Sequence, residues 1–356
     1  MVRFGLSSSG SRTRNGIDLL LSISKNIIFS SKYPIHYLVE SADWAVKTEA
    51  LTLKKHIPEV NITSSTFGIK HKILHFGTSS LFRERPASEN RSILTYYHIA
   101  PQDKFKFQVG RSSQFVQKVH TSCEITKNLL VQYGVSENKI VKINIPVDLD
   151  IFTNVNDSKK NELRDALNIP DGSIVVGSFQ KDGVGWGDGT VPKPEKGPDI
   201  FCEVVRELSR KYPIFVLLTG PARGYVKAQL TSFGIPFVHL IADQYTQMPD
   251  FYNALDLYLV TSRQEGGPKA VLESMATGTP IISTEVGQAP EVINPGVDGF
   301  LAPVEDVESL TKFSSKVIED ARLRKRLIEA GLKTAIRYSA STISRQFYDQ
   351  VYLPLF

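Results

Sequence analysis

"LDLYLVTSRQEGGPKAVLESMATGTPIISTEV", residues 255–286, decides the fold class. A short apolar run, "LDLYLV", stops at a polar corner. "PKAVLESMATG" then spaces apolar residues by three and four before a second apolar run, "TPIIS", begins. Short apolar runs bounded by turn residues are strands, and the spacing between them is that of a helix. Val271, Leu272, Met275 and Ala276 make the predicted buried face of this helix. Pro268 suits its first position and Gly278 closes it. Strand, corner, helix, strand is the repeating unit of a parallel sheet.

The same unit extends outward in both directions. "IVVGSFQ", "IFVLLTG" and "PFVHLI" precede it, and an earlier series comprises "VRFGLS", "YPIHYLV", "KHKILHFG", "RSILTYYH", "FVQKVHTS" and "NKIVKINIP". "GIDLLLSISKNIIF" and "CEITKNLLVQYG" read as helices. A polar stretch near residues 150–172 separates the two series. The expected fold class is α/β, with two doubly wound Rossmann-like domains facing across a cleft, residues 1–150 and 151–335. No repeat of solenoid period is present. One segment breaks the alternation: "QKDGVGWGDGTVPKPEKGPD", residues 180–199, is rich in Gly and Pro. It reads as a long, mobile loop at the carboxyl end of a strand, where open α/β sheets bind ligands.

Composition narrows the class of function. The 356 residues are 41% hydrophobic and 22% charged, as in ordinary globular proteins. No apolar run approaches the roughly 18 residues that span a bilayer. The start turns polar after six residues and reads as strand and loop rather than signal peptide. Cys123 and Cys202 lie far apart without metal-ligand spacing, which fits a reducing cytoplasm. Charge is uneven: residues 1–150 hold 20 basic against 12 acidic side chains, a net of +8, and the remainder is −3. A basic first half suits an anionic partner such as a membrane surface, or is an ordinary solvated surface. No nucleic-acid motif or dense Lys/Arg tract appears, so nucleic acid is not expected.

The corner itself carries chemistry. Glu265 and Glu273 are eight positions apart around Gly266, Gly267, Pro268 and Lys269. Two glycines let a backbone approach a ligand closely. The first amides of the helix, on Lys269, Ala270 and Val271, are expected to face an anion. Glu273 lies roughly 7.5 Å beyond Pro268 along the axis, its side chain leaning back toward the amino end. An anion site bracketed by two carboxylates suits a nucleotide sugar, whose diphosphate meets the amides and whose vicinal hydroxyls donate to the carboxylates. The ordinary alternative is a surface glutamate paired with Lys269 at i,i+4.

"EGGPKAVLESMATGTPIISTEVGQAPEVI" resembles the glutamate–seven residues–glutamate signature of retaining glycosyltransferases of the two-Rossmann-domain type (GT-B), glycosyltransferase family 4. "MPDFYNALDLYLVTS", "PGVDGFLAPVEDVESL" and "HTSCEITKNLLVQYGVSENKIVKINIPVDLDIF" extend the likeness. "RYSASTISRQFYDQVYLPLF" resembles the family's closing helix, which implies that residues 336–356 cross back to the first domain. The resemblance covers about residues 115–356. It implies that Glu273 binds the ribose, and that Glu265 faces the donor sugar with the amides of Gly266 and Gly267. The family's "GR…KG" phosphate clamp departs here to Ser178 and a Gly-rich insertion. Lys196 matches the family lysine, and Lys181 is the stand-in for the missing arginine. Gly16 falls in the place of the family's glycine-rich loop, with Arg12 and Arg14 beside it, or in an ordinary turn. His98 is either a donor-sugar contact or a structural strand-end histidine. Trp186 offers a flat face on which an acceptor sugar can stack.

The implied reaction is sugar transfer from a nucleotide sugar to a glycan or lipid-linked acceptor, retaining and metal-independent. A cytoplasmic setting, peripheral at the inner membrane face, is the expectation. No cofactor is expected, and Asp148-Leu149-Asp150 falls in the linker rather than at a metal site. The competing readings are an epimerase or hydrolase of the same fold, and a scaffold that has lost donor binding.

Overall fold

The computed structural model of the protein describes residues 23–24, 32–40, 45–82, 89–99 and 108–356. Gly16, Arg12, Arg14 and the strand expected over "VRFGLS" lie outside the described residues. The chain divides into two compact units. The first takes the residues up to 121 with 126–143 and 341–356; the second takes 122–125 and 144–340.

In the first unit six strands, β1 (Ile35–Leu38), β2 (Val60–Thr63), β3 (Ile73–Phe76), β4 (Arg91–Thr95), β5 (Lys118–Thr121) and β6 (Ile140–Lys142), form one sheet. Their order is β2-β1-β3-β4-β5-β6, and every pairing is parallel. Helix α1 (Ala45–His56) connects β1 to β2, and α2 (Glu124–Gln132) connects β5 to β6. β1 and β3 are buried at all four positions, which is why their sequences are largely apolar rather than alternating, each with one buried histidine, His36 and His75. β2, "VNIT", is half polar and escapes a search for such runs.

A buried polar chain crosses this sheet. His120 Nε2 lies 3.1 Å from the Ile143 carbonyl and so must donate to it. Its Nδ1 then accepts from Thr95 Oγ1 at 3.1 Å, and Thr95 accepts from His75 Nε2 at 2.8 Å. His75 Nδ1 in turn accepts the hydroxyl of Tyr352 at 2.7 Å. Every link is satisfied with both imidazoles neutral. Burial drives His120 down to about 4, and burial together with the neighbouring His120 drives His75 well below its ordinary range.

Acid therefore charges these groups in the unfolded chain before the folded one. Their stabilisation is full above the unfolded value near 6.5 and is lost as pH falls toward 4. The expected loss over that window is about 3 kcal/mol for His120 alone. Melting followed between pH 7 and 4 checks it. His36, also lowered to about 4, acts in the same sense, so His120→Asn should flatten the profile only in part.

The second unit is built on β7 (Ile174–Phe179), β8 (Ile214–Thr219), β9 (Phe237–Leu240), β10 (Leu257–Val260), β11 (Ile281–Thr284) and β12 (Phe300–Ala302). Their order is β12-β11-β10-β7-β8-β9, again with parallel pairings throughout. The polar stretch near 150–172 holds α3 (Asp157–Ala166), capped by Asn156, whose side chain accepts the Lys159 amide at 2.9 Å. Lys160 and Arg164 of α3 hold Asp256 at 3.2 and 2.8 Å, just ahead of β10. Two further helices flank this sheet, α4 (Pro198–Ser209) and α5 (Gly224–Ser232), followed by α6 (Lys269–Ala276) after β10.

Candidate active site

The strand order locates the site. From β7 the chain proceeds outward to β8 and β9, then returns to β10 on the opposite flank of β7. The carboxyl ends of β7 and β10 thus flank a topological switch point, where the two following loops diverge and leave room for a ligand. The Gly-rich segment follows β7 and the two-glutamate corner follows β10.

The Gly-rich segment is not the mobile loop that its composition suggested. Val184 N donates to Val191 O at 2.8 Å and Lys193 N to Asp182 O at 2.7 Å, closing it as a hairpin. Tyr225 N donates to Gly189 O at 3.0 Å, seating the hairpin on the start of α5. Gly183 and Gly189 serve close backbone packing, whereas Gly185 and Gly187 at the tip have nothing within 4 Å. Trp186 nevertheless remains 67% exposed at its tip, with Lys181 Nζ 3.6 Å from the ring centroid.

The segment then delivers Lys196. A 3-10 turn, Pro194–Lys196, is fastened on several sides to the loop after β10. Arg263 N and Gln264 N donate to Glu195 O at 2.9 and 3.1 Å, and Thr261 Oγ1 to Gly197 O at 2.9 Å. Gln180 Nε2 holds the Lys196 carbonyl at 3.1 Å. The Arg263 guanidinium grips Asp199 through two bonds of 2.8 and 2.7 Å and also reaches Pro194 O. So held, Lys196 Nζ meets Glu265 Oε1 at 2.6 Å, and Ser262 Oγ donates to the same oxygen at 2.9 Å. Glu265 Oε2 accepts no hydrogen bond among the described residues. An ammonium, a carboxylate and a free acceptor oxygen thus share one half-buried spot.

Gly197 is what permits this approach. Its φ is +58°, and a Cβ there would lie 1.9 Å from the Thr261 carbonyl oxygen. Gly197→Ala is expected to cost about 2–5 kcal/mol, combining left-handed strain with overpacking. Gly234→Ala supplies the control, since it has φ +68° and nothing within 4 Å of the added carbon. It should cost only the strain, about 1–2 kcal/mol, by thermal or urea melting.

The corner is braced from below. Ser122 Oγ donates to Gly266 O at 2.9 Å. A Cβ on Gly267 would strike Ile145 at 2.5 Å, and Ile145 N is held by the buried Gln288 side chain at 2.7 Å. Helix α6 begins one residue later than expected, with Pro268 as its cap rather than its first residue. Val271 N donates back to Pro268 O at 3.1 Å and its side chain is fully buried, so this amide is not open to an anion. That corrects its assignment as a ligand contact. The cause is the extended Pro268, whose carbonyl turns inward to open the helix with a tight i→i+3 bond. Lys269 and Ala270 remain as the leading residues of the helix, half-buried.

Glu273 is neither a surface residue nor a partner of Lys269. It is 6% exposed and accepts the hydroxyls of Tyr245, in a short bond, and Tyr252, at 2.8 Å. Burial first, and then the Glu273 carboxylate, push both phenols well above their ordinary range, so both stay protonated donors. A carboxylate offers about four acceptor positions, and the tyrosines use two. Lys269 Nζ instead lies over the Tyr245 ring, 4.9 Å from its centroid. Tyr245, Tyr252, Ser262 and Arg263 carry no local periodic signal and were not singled out from sequence.

Among the other sequence candidates, Lys181 sits on Trp186. His98, in the first unit, is exposed just beyond the end of β4. Asp148 Oδ1 accepts the Asp150 amide at 3.0 Å within a turn, and no metal-binding cluster occurs among the described residues.

Two parallel sheets, each with order reversal and loops at their carboxyl ends, define the GT-B class. The chain superposes on Anabaena Alr3699/HepE in complex with UDP and glucose with TM-score 0.73 and 16% identity. The match covers 90% of this chain and 100% of that one, a likeness of fold. Residues 192–334, a segment that carries Lys196, Glu265 and Glu273, match the family model described as Glycosyl transferases group 1. The lipopolysaccharide core biosynthesis mannosyltransferase LpsB of Rhizobium meliloti (strain 1021) is 28% identical over 190 residues, 51% of this chain and 50% of that protein. The N,N'-diacetylbacillosaminyl-diphospho-undecaprenol alpha-1,3-N-acetylgalactosaminyltransferase of Campylobacter jejuni is 27% identical over 255 residues, 69% and 63% of the two chains. The matches thus span between half and just under two thirds of these relatives' lengths.

Proposed function

We propose that the protein is a retaining glycosyltransferase that moves a sugar from a nucleoside diphosphate to a hydroxyl of a lipid-linked or cell-surface glycan. The observation that carries this reading is the 2.6 Å Lys196–Glu265 pair at the switch point between β7 and β10. In the proposed reaction the bond from the anomeric carbon to the diphosphate breaks. The acceptor oxygen bonds to the same face of that carbon, and its proton passes to the departing diphosphate oxygen. Lys196 stabilises the departing charge, an electrostatic contribution often worth about 3 kcal/mol. Lys181 is the proposed second cation, which would have to swing from the Trp186 ring to serve. Glu265 and the Gly266 and Gly267 amides would orient the sugar, and Glu273 would accept the ribose hydroxyls. In the first unit, Gly16 and His98 are the proposed donor contacts. Positive charge on Lys196 and at the start of α6 lets the step proceed without a metal.

The acceptor class draws on the printed names of the two relatives, one in lipopolysaccharide core synthesis and one acting on an undecaprenol-linked sugar. No helix among the described residues is long and apolar enough to cross a membrane. We propose peripheral attachment at the inner face through the +8 charge of residues 1–150. Binding to anionic vesicles should appear at low salt and vanish as salt rises; equal binding to neutral vesicles would sink it.

The central test is thermal stabilisation by UDP, GDP and ADP. One nucleotide at 100 times its dissociation constant should add ~2.7 kcal/mol, and the one that works identifies the base. Stabilisation by none would favour a scaffold without donor binding. Rapid turnover of the matching nucleotide sugar without any acceptor would instead mark an epimerase or hydrolase.

A further inference from the structure

Arg223 is the largest side chain wholly withdrawn from solvent, and the proposed reaction makes no use of it. It stands just ahead of α5 and ties together the carboxyl ends of two neighbouring strands. Nη1 donates to Ser178 O on β7 at 2.6 Å and to Thr219 O on β8 at 2.7 Å, while Nη2 reaches Ser178 Oγ at 3.1 Å. Nε faces Asp182 Oδ1 at 3.0 Å, and both side chains are 0% exposed. The contact lies outside hydrogen-bond geometry, and neither carboxylate oxygen of Asp182 has another hydrogen-bond partner among the described residues. The Arg223 charge is the main attraction on this carboxylate, with Lys196 contributing beyond it.

A buried pair of this kind is a weak source of stability, because desolvation offsets most of the attraction. Apolar side chains of equal volume are often as stable or more so. What the pair does is fix a main-chain position. Asp182 O accepts Lys193 N at 2.7 Å, and Lys193 O accepts Lys196 N at 3.0 Å. The carboxylate therefore anchors the root of the 3-10 turn that presents Lys196 to Glu265. From the other side, Gly224 N and Tyr225 N, next to Arg223, donate to Asp188 O and Gly189 O at 2.5 and 3.0 Å.

We propose that Asp182 and Arg223 are positioning residues for Lys196: the pair holds the root of the Gly-rich segment and so sets the reach of that ammonium to the diphosphate. This rests on the reading of Lys196 given above. Neither residue touches substrate.

The test compares wild type with Asp182→Leu/Arg223→Met, which replaces the ion pair by apolar volume. The variant should fold and melt within several degrees of wild type, the relief of two buried charges offsetting the lost Arg223 bonds to Ser178 and Thr219. It should lose at least 10-fold in UDP affinity with less than 2-fold change for uridine, which lacks the diphosphate. Tryptic cleavage at Lys196–Gly197 should accelerate at least 10-fold. Adding Lys196→Met to the variant should cost little further UDP affinity. A folded variant with wild-type UDP-to-uridine ratio and wild-type cleavage overturns the proposal and leaves the pair purely structural. Where GDP or ADP is the nucleotide that stabilises wild type, it and its nucleoside replace UDP and uridine; wild type that binds none of the three removes the donor reading instead, and cleavage, which needs no ligand, then still decides whether the pair fixes Lys196. If the double variant fails to fold, Asp182→Asn keeps the volume, removes the charge and is read in the same way.

Discussion

Lys196→Met is expected to lower kcat about 10²–10³-fold, the loss seen when one fixed donor to a developing oxyanion is removed. Methionine keeps the length and apolar stem of lysine, and Lys196 is partly solvent-facing, with 28% side-chain exposure. The melting temperature should therefore stay within a few degrees of wild type. Glu265 remains with Ser262 as a hydrogen-bond donor, so the site is not emptied. Lys196→Arg is the instructive companion. Its fork is longer and planar, and the tight turn around Gly197 leaves it no slack, so it should recover only part of the activity. Steady-state kinetics with the nucleotide sugar identified by thermal shift measures both. An unchanged kcat with raised KM would assign Lys196 to ground-state binding alone.

Glu273→Ala should strike stability and ligand binding together. Tyr252 donates to this carboxylate from a buried position and Tyr245 from a half-buried one, and alanine leaves both hydroxyls without their acceptor. Each buried donor left unpaired costs about 1–3 kcal/mol, and the half-buried Tyr245 the lower part of that range, giving a total of about 2–5 kcal/mol. For a unit of this size that is a fall of roughly 5–15 °C in melting temperature. The nucleotide-dependent rise in melting, ~2.7 kcal/mol at 100 times the dissociation constant, should disappear as well. Glu273→Gln separates the two effects. Its amide oxygen still accepts from one tyrosine, and the other hydroxyl can rotate to accept from the amide nitrogen. Stability should largely return, whereas affinity for ribose hydroxyls should stay reduced. If Glu273→Gln binds nucleotide as wild type does, Glu273 serves only to hold the tyrosines.

Local chemistry made much of this molecule readable. Parallel strands buried on both faces become apolar runs, so "IFVLLT" and "LYLV" announced β8 and β10. Three- and four-residue spacing announced α6, and Gly266-Gly267 announced the tight corner between the two glutamates. Each of these features is written within a few consecutive residues. β2 and β12 were too short or too polar to stand out. Glycine content suggested a mobile segment, but composition does not distinguish a loose loop from one whose backbones pack in close contact.

The pairings that make the corner a site belong to tertiary structure alone. Lys196 meets Glu265 across 69 positions, Arg223 meets Ser178 across 45, and Tyr245 meets Glu273 across 28. Lys196 reaches Glu265 because β7 and β10 are neighbours in the sheet although two strands intervene in the chain, and Arg223 reaches Ser178 because β7 and β8 are neighbours. Once brought there, burial determines their character. Removal from water holds Tyr245 and Tyr252 protonated against Glu273 and pushes the Asp182 carboxyl up against the pull of Arg223. Neither sheet adjacency nor desolvation has a local periodicity to read. A linear pattern can therefore name the residues at a corner but not the partners that set their chemistry.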